Sequence, residues 1–140
     1  MIKACLDTNV FVSGTISSSG APFEILEAWR NRKFILLVSD EIIAEVSKVL
    51  NYPKIKTAFS LTDEKIEKSL LLLSKYSQRT PGELKLDVIT EDPSDNIFLA
   101  CAVEGKADFI ISGDNHLLQI GTYQRIQIIT PREFIKQLRS

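Results

Sequence analysis

What this chain has little of narrows it first. Its only cysteines are Cys5 and Cys101, both in apolar surroundings, which read as buried reduced thiols rather than a disulfide. No apolar run approaches the roughly 18 residues of a membrane helix. Leu70 to Leu73 is far too short. No basic segment followed by an apolar one precedes the first strand, so a cytoplasmic protein without secretory signal or membrane contact is expected. No Gly-x-Gly-x-x-Gly follows any strand-like run, which removes the phosphate cradle of a dinucleotide-binding domain. Neither sign of charge is in excess: 17 Lys and Arg against 18 Asp and Glu leave a net −1. That balance argues against a protein whose whole surface grips nucleic acid. The basic group Arg30, Arg32 and Lys33 reads as a solvated helix end.

What is present is an ordinary globular composition, 44% apolar and 25% charged, which excludes disordered and fibrous readings. A length of 140 residues predicts one domain, residues 1–140. The chain opens on Ile2-Lys3-Ala4-Cys5-Leu6, an apolar run that ends abruptly in Asp7. Such a run predicts a buried strand that delivers Asp7 to a sheet edge. Ser13 to Gly20 reads as a flexible polar loop, and Ala21 to Arg32 as an amphipathic helix opening near Pro22. Phe34 to Val38 predicts a second strand, followed from Ser39-Asp40 by a helix with its stripe at Ile42, Ile43, Val46, Val49 and Leu50. Pro53 interrupts that helix. Leu61 to Tyr76 reads as a longer helix capped by Thr62.

Leu86 to Ile89 is expected to be a third strand, Ile97 to Val103 the most apolar helix, and Asp108 to Ser112 a fourth strand. Ile126 to Ile129 is expected as a fifth strand, and Pro131 to start a last amphipathic helix. Strands alternating with helices predict a parallel sheet covered on both faces.

In such sheets chemistry sits beyond the carboxyl ends of the strands. Asp7 and Asp114 directly follow strands, and Asp95 lies in the first turn of a helix after another. Gathered at one edge, these carboxylates repel one another unless a cation neutralises them, and hard oxygen ligands suit Mg²⁺ or Mn²⁺. Each also has a plain structural role: Asp95 as partner in a capping box started by Asp92, Asp114 as cap of a short helix, Asp7 as cap of a turn. Three such coincidences at once are less expected than one. For a fourth ligand, spacing leaves Asp40, Glu41 and Glu45 open; Glu45 falls on the flank of the apolar stripe, and Glu41 faces further from it. His116 reads as a capping or surface residue.

Four motifs in order carry a resemblance. They are Asp7-Thr8-Asn9, Ser39-Asp40-Glu41 leading to Ala44-Glu45-Val46, Asp92 through Asn96, and Ala107-Asp108 through Ser112-Gly113-Asp114. From Ile2 to about Phe134 the chain resembles the PIN domain, and within that family the single-domain VapC-like toxins. Ser112 stands where Thr is frequent and keeps the hydroxyl; the stretch Ser13 to Gly20 is longer than in many compact relatives.

The resemblance implies an α/β three-layer sandwich with a five-stranded parallel sheet in 3-2-1-4-5 order. It implies an endoribonuclease dependent on Mg²⁺ or Mn²⁺, with Asp7, Glu45, Asp95 and Asp114 as catalytic and metal-binding residues. Thr8, Asn9, Asn96 and Ser112 are the expected supports that fix carboxylate rotamers. RNA as substrate, a cognate antitoxin and a homodimer follow as expected partners. The alternative is a catalytically silent PIN-like module that binds RNA or protein. Other folds with a strand-end aspartate fit less well. A haloacid-dehalogenase-type phosphatase needs a second Asp where this chain has Asn9, and a receiver domain needs adjacent acids and a late Lys where it has Asp7 alone and Thr130-Pro131.

Overall fold

The computed structural model describes residues 1–140. Its centre is β1 (Lys3–Leu6), whose Ala4 and Cys5 are fully buried. The chain continues through α1 (Thr8–Ile16), α2 (Ala21–Arg30), β2 (Ile35–Val38), α3 (Asp40–Leu50), α4 (Pro53–Ala58), α5 (Asp63–Lys75) and β3 (Gln78–Arg79). A 3₁₀ turn at Pro93–Asp95 leads into α6 (Asn96–Gly105), then β4 (Phe109–Ile111), α7 (Asn115–Leu118), β5 (Thr122–Tyr123), β6 (Ile126–Ile129) and α8 (Pro131–Arg139). The sheet runs β3-β2-β1-β4-β6-β5. Every pairing is parallel except β5 against β6. The expected α/β class and the 3-2-1-4-5 order of the parallel strands are present, with one antiparallel edge strand added. No helix is long and apolar enough to cross a membrane. Cys5 and Cys101 are buried free thiols.

Helix starts follow local chemistry. Ser39 and Thr62 accept the amides of Ile42 and Lys65, and Thr130 forms a capping box with Glu133. Each side chain thereby satisfies an amide that the first turn leaves without a partner.

Two expectations fail for physical reasons. Leu86 to Ile89 is not a strand. The loop between β3 and α6 is held by side chains of α6 instead: the Glu104 carboxylate accepts the amides of Gly82, Glu83 and Leu84 at 3.0, 3.1 and 3.2 Å. Asn96 Oδ1 accepts those of Val88 and Ile89 at 3.0 and 2.9 Å. A carboxylate and an amide thus replace the strand ladder that the apolar run seemed to call for. The third strand is the exposed polar pair Gln78–Arg79, registered on Leu37 and Val38.

The second failure is the loop read at Ser13 to Gly20. Its first half is helical, because Val10, Phe11, Val12 and Gly14 are buried on α1 and only residues 17–20 remain outside. Gly14 is there for close packing. A Cβ on it would lie 2.6 Å from the Pro22 carbonyl oxygen and 2.7 Å from Leu26 Cδ1. Alanine is the better helix former by about 1 kcal/mol. Gly14→Ala should nevertheless destabilise the protein by about 1–3 kcal/mol, because α1 and α2 must part. A urea titration checks this; an unchanged or higher midpoint would remove the close-packing account.

Candidate active site

β1 and β4 end side by side, with Leu6 paired to Ile111. The Asp7 amide continues that ladder to the Ile111 carbonyl at 3.0 Å, and the Ser112 amide extends the next one to Ile129 at 2.9 Å. Asp7 and Ser112 therefore leave the sheet together. The Ser112 hydroxyl, fully buried, donates to Asp7 Oδ2 and accepts the Asp114 amide at 2.8 Å. Asp7 Oδ1 accepts the Val10 amide at 2.8 Å and so caps α1. Asp114 Oδ1 accepts the His116 amide at 2.7 Å and caps α7. For both residues the capping role and the placement at the sheet edge coexist.

Asp95 arrives from the other side of the cleft, on the 3₁₀ turn before α6. No capping box forms with Asp92, whose carboxylate accepts the Ser94 hydroxyl at 2.6 Å instead. Asp95 is 7% exposed, and its Oδ2 is buried with no hydrogen-bond partner. The Thr8 hydroxyl is likewise buried and unpartnered.

Asp7, Thr8, Asn9, Glu45, Asp95 and Asp114 line one small cavity of about 100 Å³, with Asp92 at its wall. Of the three α3 acids left open by spacing, Glu45 alone lines this cavity, half-buried. Asp40 and Glu41 turn outward to ion pairs with Arg79 at 2.5 Å and Lys85 at 2.8 Å. Asn96 stands apart from the carboxylates. Besides holding Val88 and Ile89, it donates to the carbonyls of Ile89 and Pro93 at 3.0 Å each, so it fixes the loop that carries Asp95 and no carboxylate rotamer.

Reading the sequence alone passed over two neighbours. Ligand atoms of Asp92, Asp95, Asp114 and His116 all lie within 4.8 Å of one another. Asp92 looked like a cap, and His116 like a surface residue. His116 is in fact exposed, with Nδ1 3.6 Å from Asp114 Oδ1. The Asp-Pro-Ser-Asp spacing was the only signal for Asp92.

Electrostatics set these acids apart from ordinary carboxylates. Burial, then the hydrogen bond and charge of Asp114, push Asp95 up to about 8. Burial also raises Asp7, against the opposing hydrogen bonds of Ser112 and Val10. In Asp114 burial acts upward too, but the hydrogen bond with Asp95 and the His116 amide outweigh it and leave the group below its ordinary range. Asp95 thus favours its protonated form, while its neighbour Asp114 favours the charged one. Crowded carboxylates with a buried unpartnered oxygen fit a hard divalent cation in place of that proton.

A family model of the PIN domain matches residues 3–116. The chain belongs to the PIN-domain family. This PIN domain is 32% identical to the uncharacterized protein MJ1680 of Methanocaldococcus jannaschii, over 97% of this chain and 91% of that protein. Its fold is similar to a chain of VapBC2 from Rickettsia felis, solved bound to a DNA fragment from the promoter. The TM-score is 0.61 at 13% identity, covering 92% of this chain and 98% of that one. It is also similar to a chain of FitAcB from Neisseria gonorrhoeae, with a TM-score of 0.55 at 17% identity over 92% of this chain and 98% of that one.

The raised Asp95 value predicts how stability varies with pH. Asp95 has an ordinary value of 3.8 when unfolded and about 8 when folded, so the folded state binds its proton more tightly. Without divalent ions, the melting temperature should fall as pH rises from about 5 to about 8 and level off above that. Asp95→Asn should flatten this slope, and Mg²⁺ or Mn²⁺ should raise the melting temperature more at high pH than at low. A slope unchanged in Asp95→Asn would place the titrating group elsewhere.

Proposed function

We propose that this PIN domain is a divalent-metal-dependent endoribonuclease, the toxin of a toxin–antitoxin pair, acting on RNA in the cytoplasm. The observation that carries the reading is the cavity in which Asp7, Glu45, Asp95 and Asp114 meet, with one Asp95 oxygen buried and unpartnered. An inactive scaffold gains nothing from crowding carboxylates that repel one another.

Phosphodiester hydrolysis joins the oxygen of water to phosphorus and releases one ester oxygen, which takes up a proton. The diester's own negative charge opposes this attack and grows during it. Mg²⁺ or Mn²⁺, held by Asp7, Asp95 and Asp114, would supply the neutralising charge and acidify water. The residues of the chain prepare the place. Ser112 locks one oxygen of Asp7, Val10 locks the other, and the same serine ties Asp114 to Asp7. Asp95 would hold the cation through its buried oxygen, which has no other partner. Glu45, on the facing helix, would hold the cation or orient water, while Thr8 and Asn9 line the cavity beside Asp7. The small cavity, about 100 Å³, admits an ion with its waters. The phosphodiester therefore approaches at the mouth, where single-stranded or looped RNA can bend to present it.

An antitoxin segment that covers this mouth with a basic side chain among the carboxylates, and a toxin homodimer, complete the proposal. The likeness of the fold to a chain of VapBC2 supports the first.

Purified protein should cut single-stranded RNA only with Mg²⁺ or Mn²⁺, and chelation should stop it. Asp7→Asn, Asp95→Asn and Asp114→Asn should each lower the rate by about 10³-fold or more with the circular dichroism spectrum unchanged. Glu45→Gln should be similarly damaging, Glu41→Gln nearly silent, and His116→Ala active. Cleavage that survives chelator or loss of Asp7 would leave the silent binding module as the reading. Light scattering that finds only monomer across a wide concentration range would remove the homodimer.

A further inference from the structure

At the opposite end of the sheet lies a larger and chemically different site. β3 pairs only with Leu37 and Val38, so the first half of β2 has no neighbour on that side. There, between the ends of α2 and α5, opens a groove of about 730 Å³. Trp29, Phe34 and Leu72 line it, with Met1 and Tyr76 at its edge. Its volume falls in the range of small-molecule pockets, and its lining is the usual apolar and aromatic kind.

The charged residues at this groove are all basic: Arg30, Arg32 and Lys75. Arg30 is paired with Glu27 at 3.2 Å, while Arg32 and Lys75 form no ion pair. The Lys75 ammonium lies 5.5 Å from the centre of the Tyr76 ring, at the lip of the groove. Arg32 has φ 58°, the left-handed position after a helix where glycine is the favoured residue. The backbone therefore favours another residue here, and the guanidinium is kept at some cost in strain. Apolar surface is also left open around the groove, since Met1 is 79% and Tyr76 50% exposed.

We propose that this groove binds a small amphipathic anion, an apolar or aromatic body carrying a carboxylate, sulfonate or phosphate. The body lies against Leu72, Met1 and Tyr76 above the buried edges of Trp29 and Phe34, and the anionic group meets Arg32 and Lys75. Two copies of the chain facing each other through this groove would set like charges together, which disfavours self-association here. RNA fits less well, because Tyr76 is the one open aromatic face at the groove, Trp29 and Phe34 being 4% and 2% exposed, and successive bases need several. The proposal stands independently of the nuclease reading.

The test uses two dyes on the whole protein in chelator. Anilinonaphthalene sulfonate carries the anionic group, and N-phenylnaphthylamine has a similar body without it. The sulfonate should bind saturably at one site, and NMR shifts should centre on the Trp29 indole, Tyr76 and Met1. Arg32→Gly should melt at or above the wild-type temperature and bind the sulfonate more weakly. Combined with Lys75→Glu, the loss should reach about tenfold or more, while the neutral dye changes by about twofold or less. Absence of saturable binding, equal losses for both dyes, or shifts centred elsewhere would overturn the proposal. Displacement of the sulfonate by a single-stranded oligoribonucleotide would overturn it in favour of an RNA-binding surface.

Discussion

The repulsion among carboxylates in one cramped cleft is the constraint the rest of the fold must meet. Burial and the neighbouring Asp114 charge raise the cost of ionising Asp7 and Asp95, and Asp95 answers by holding a proton. Such a group of charges opens up unless its backbone is fixed from several directions. Here the fixing is covalently distant and mechanically stiff. Asp7 and Ser112 leave neighbouring parallel strands, and a single buried hydroxyl joins both strand ends to Asp114. A serine suffices because it needs only to donate once and accept once.

Asp95 is held differently. No strand precedes it, and its loop would be free to retreat from the other two acids. The side chain of Asn96, next in sequence, ties Val88, Ile89 and Pro93 to the start of α6. Glu104, at the far end of the same helix, clamps residues 82–84. One helix thus anchors both halves of a long irregular segment and keeps the third carboxylate in place. This explains why an apolar run such as Leu86 to Ile89 needs no strand partner to be ordered.

Much of this was legible. The abrupt ends of the apolar runs at Leu6-Asp7 and Ile111-Ser112 mark strand ends, the alternation of strands with helices predicts the parallel sheet, and the resemblance to the PIN domain supplies the strand order. The caps at Ser39, Thr62 and Thr130 follow from residue type alone. The failures share a cause: the deciding partner lay far away in sequence. Gly14 looks like a loop residue until Pro22 and Leu26 are seen against it. Gln78–Arg79 has no strand pattern, and becomes one only because Val38 offers its carbonyl to Thr80. Glu45 and Glu41 differ by one helical turn, and what separates them is Lys85, which draws Glu41 outward. Asp92 and His116 are ordinary surface residues by spacing and join the cluster only through the turn at Pro93 and the cap at Asp114.

A net charge of −1 conceals a strongly polar molecule. The buried acids collect beyond the carboxyl ends of the parallel strands, while Arg30, Arg32 and Lys75 border the groove at their amino ends. With strands of about four residues at about 3.3 Å each, the sheet itself separates the two ends by only about 13 Å. That is about one and a half Debye lengths of about 8 Å at physiological salt, so surface fields from the two ends are largely but not wholly screened from each other. A small anion approaching the molecule is therefore repelled at the acidic cleft and attracted at the basic groove, each end acting through its own local field.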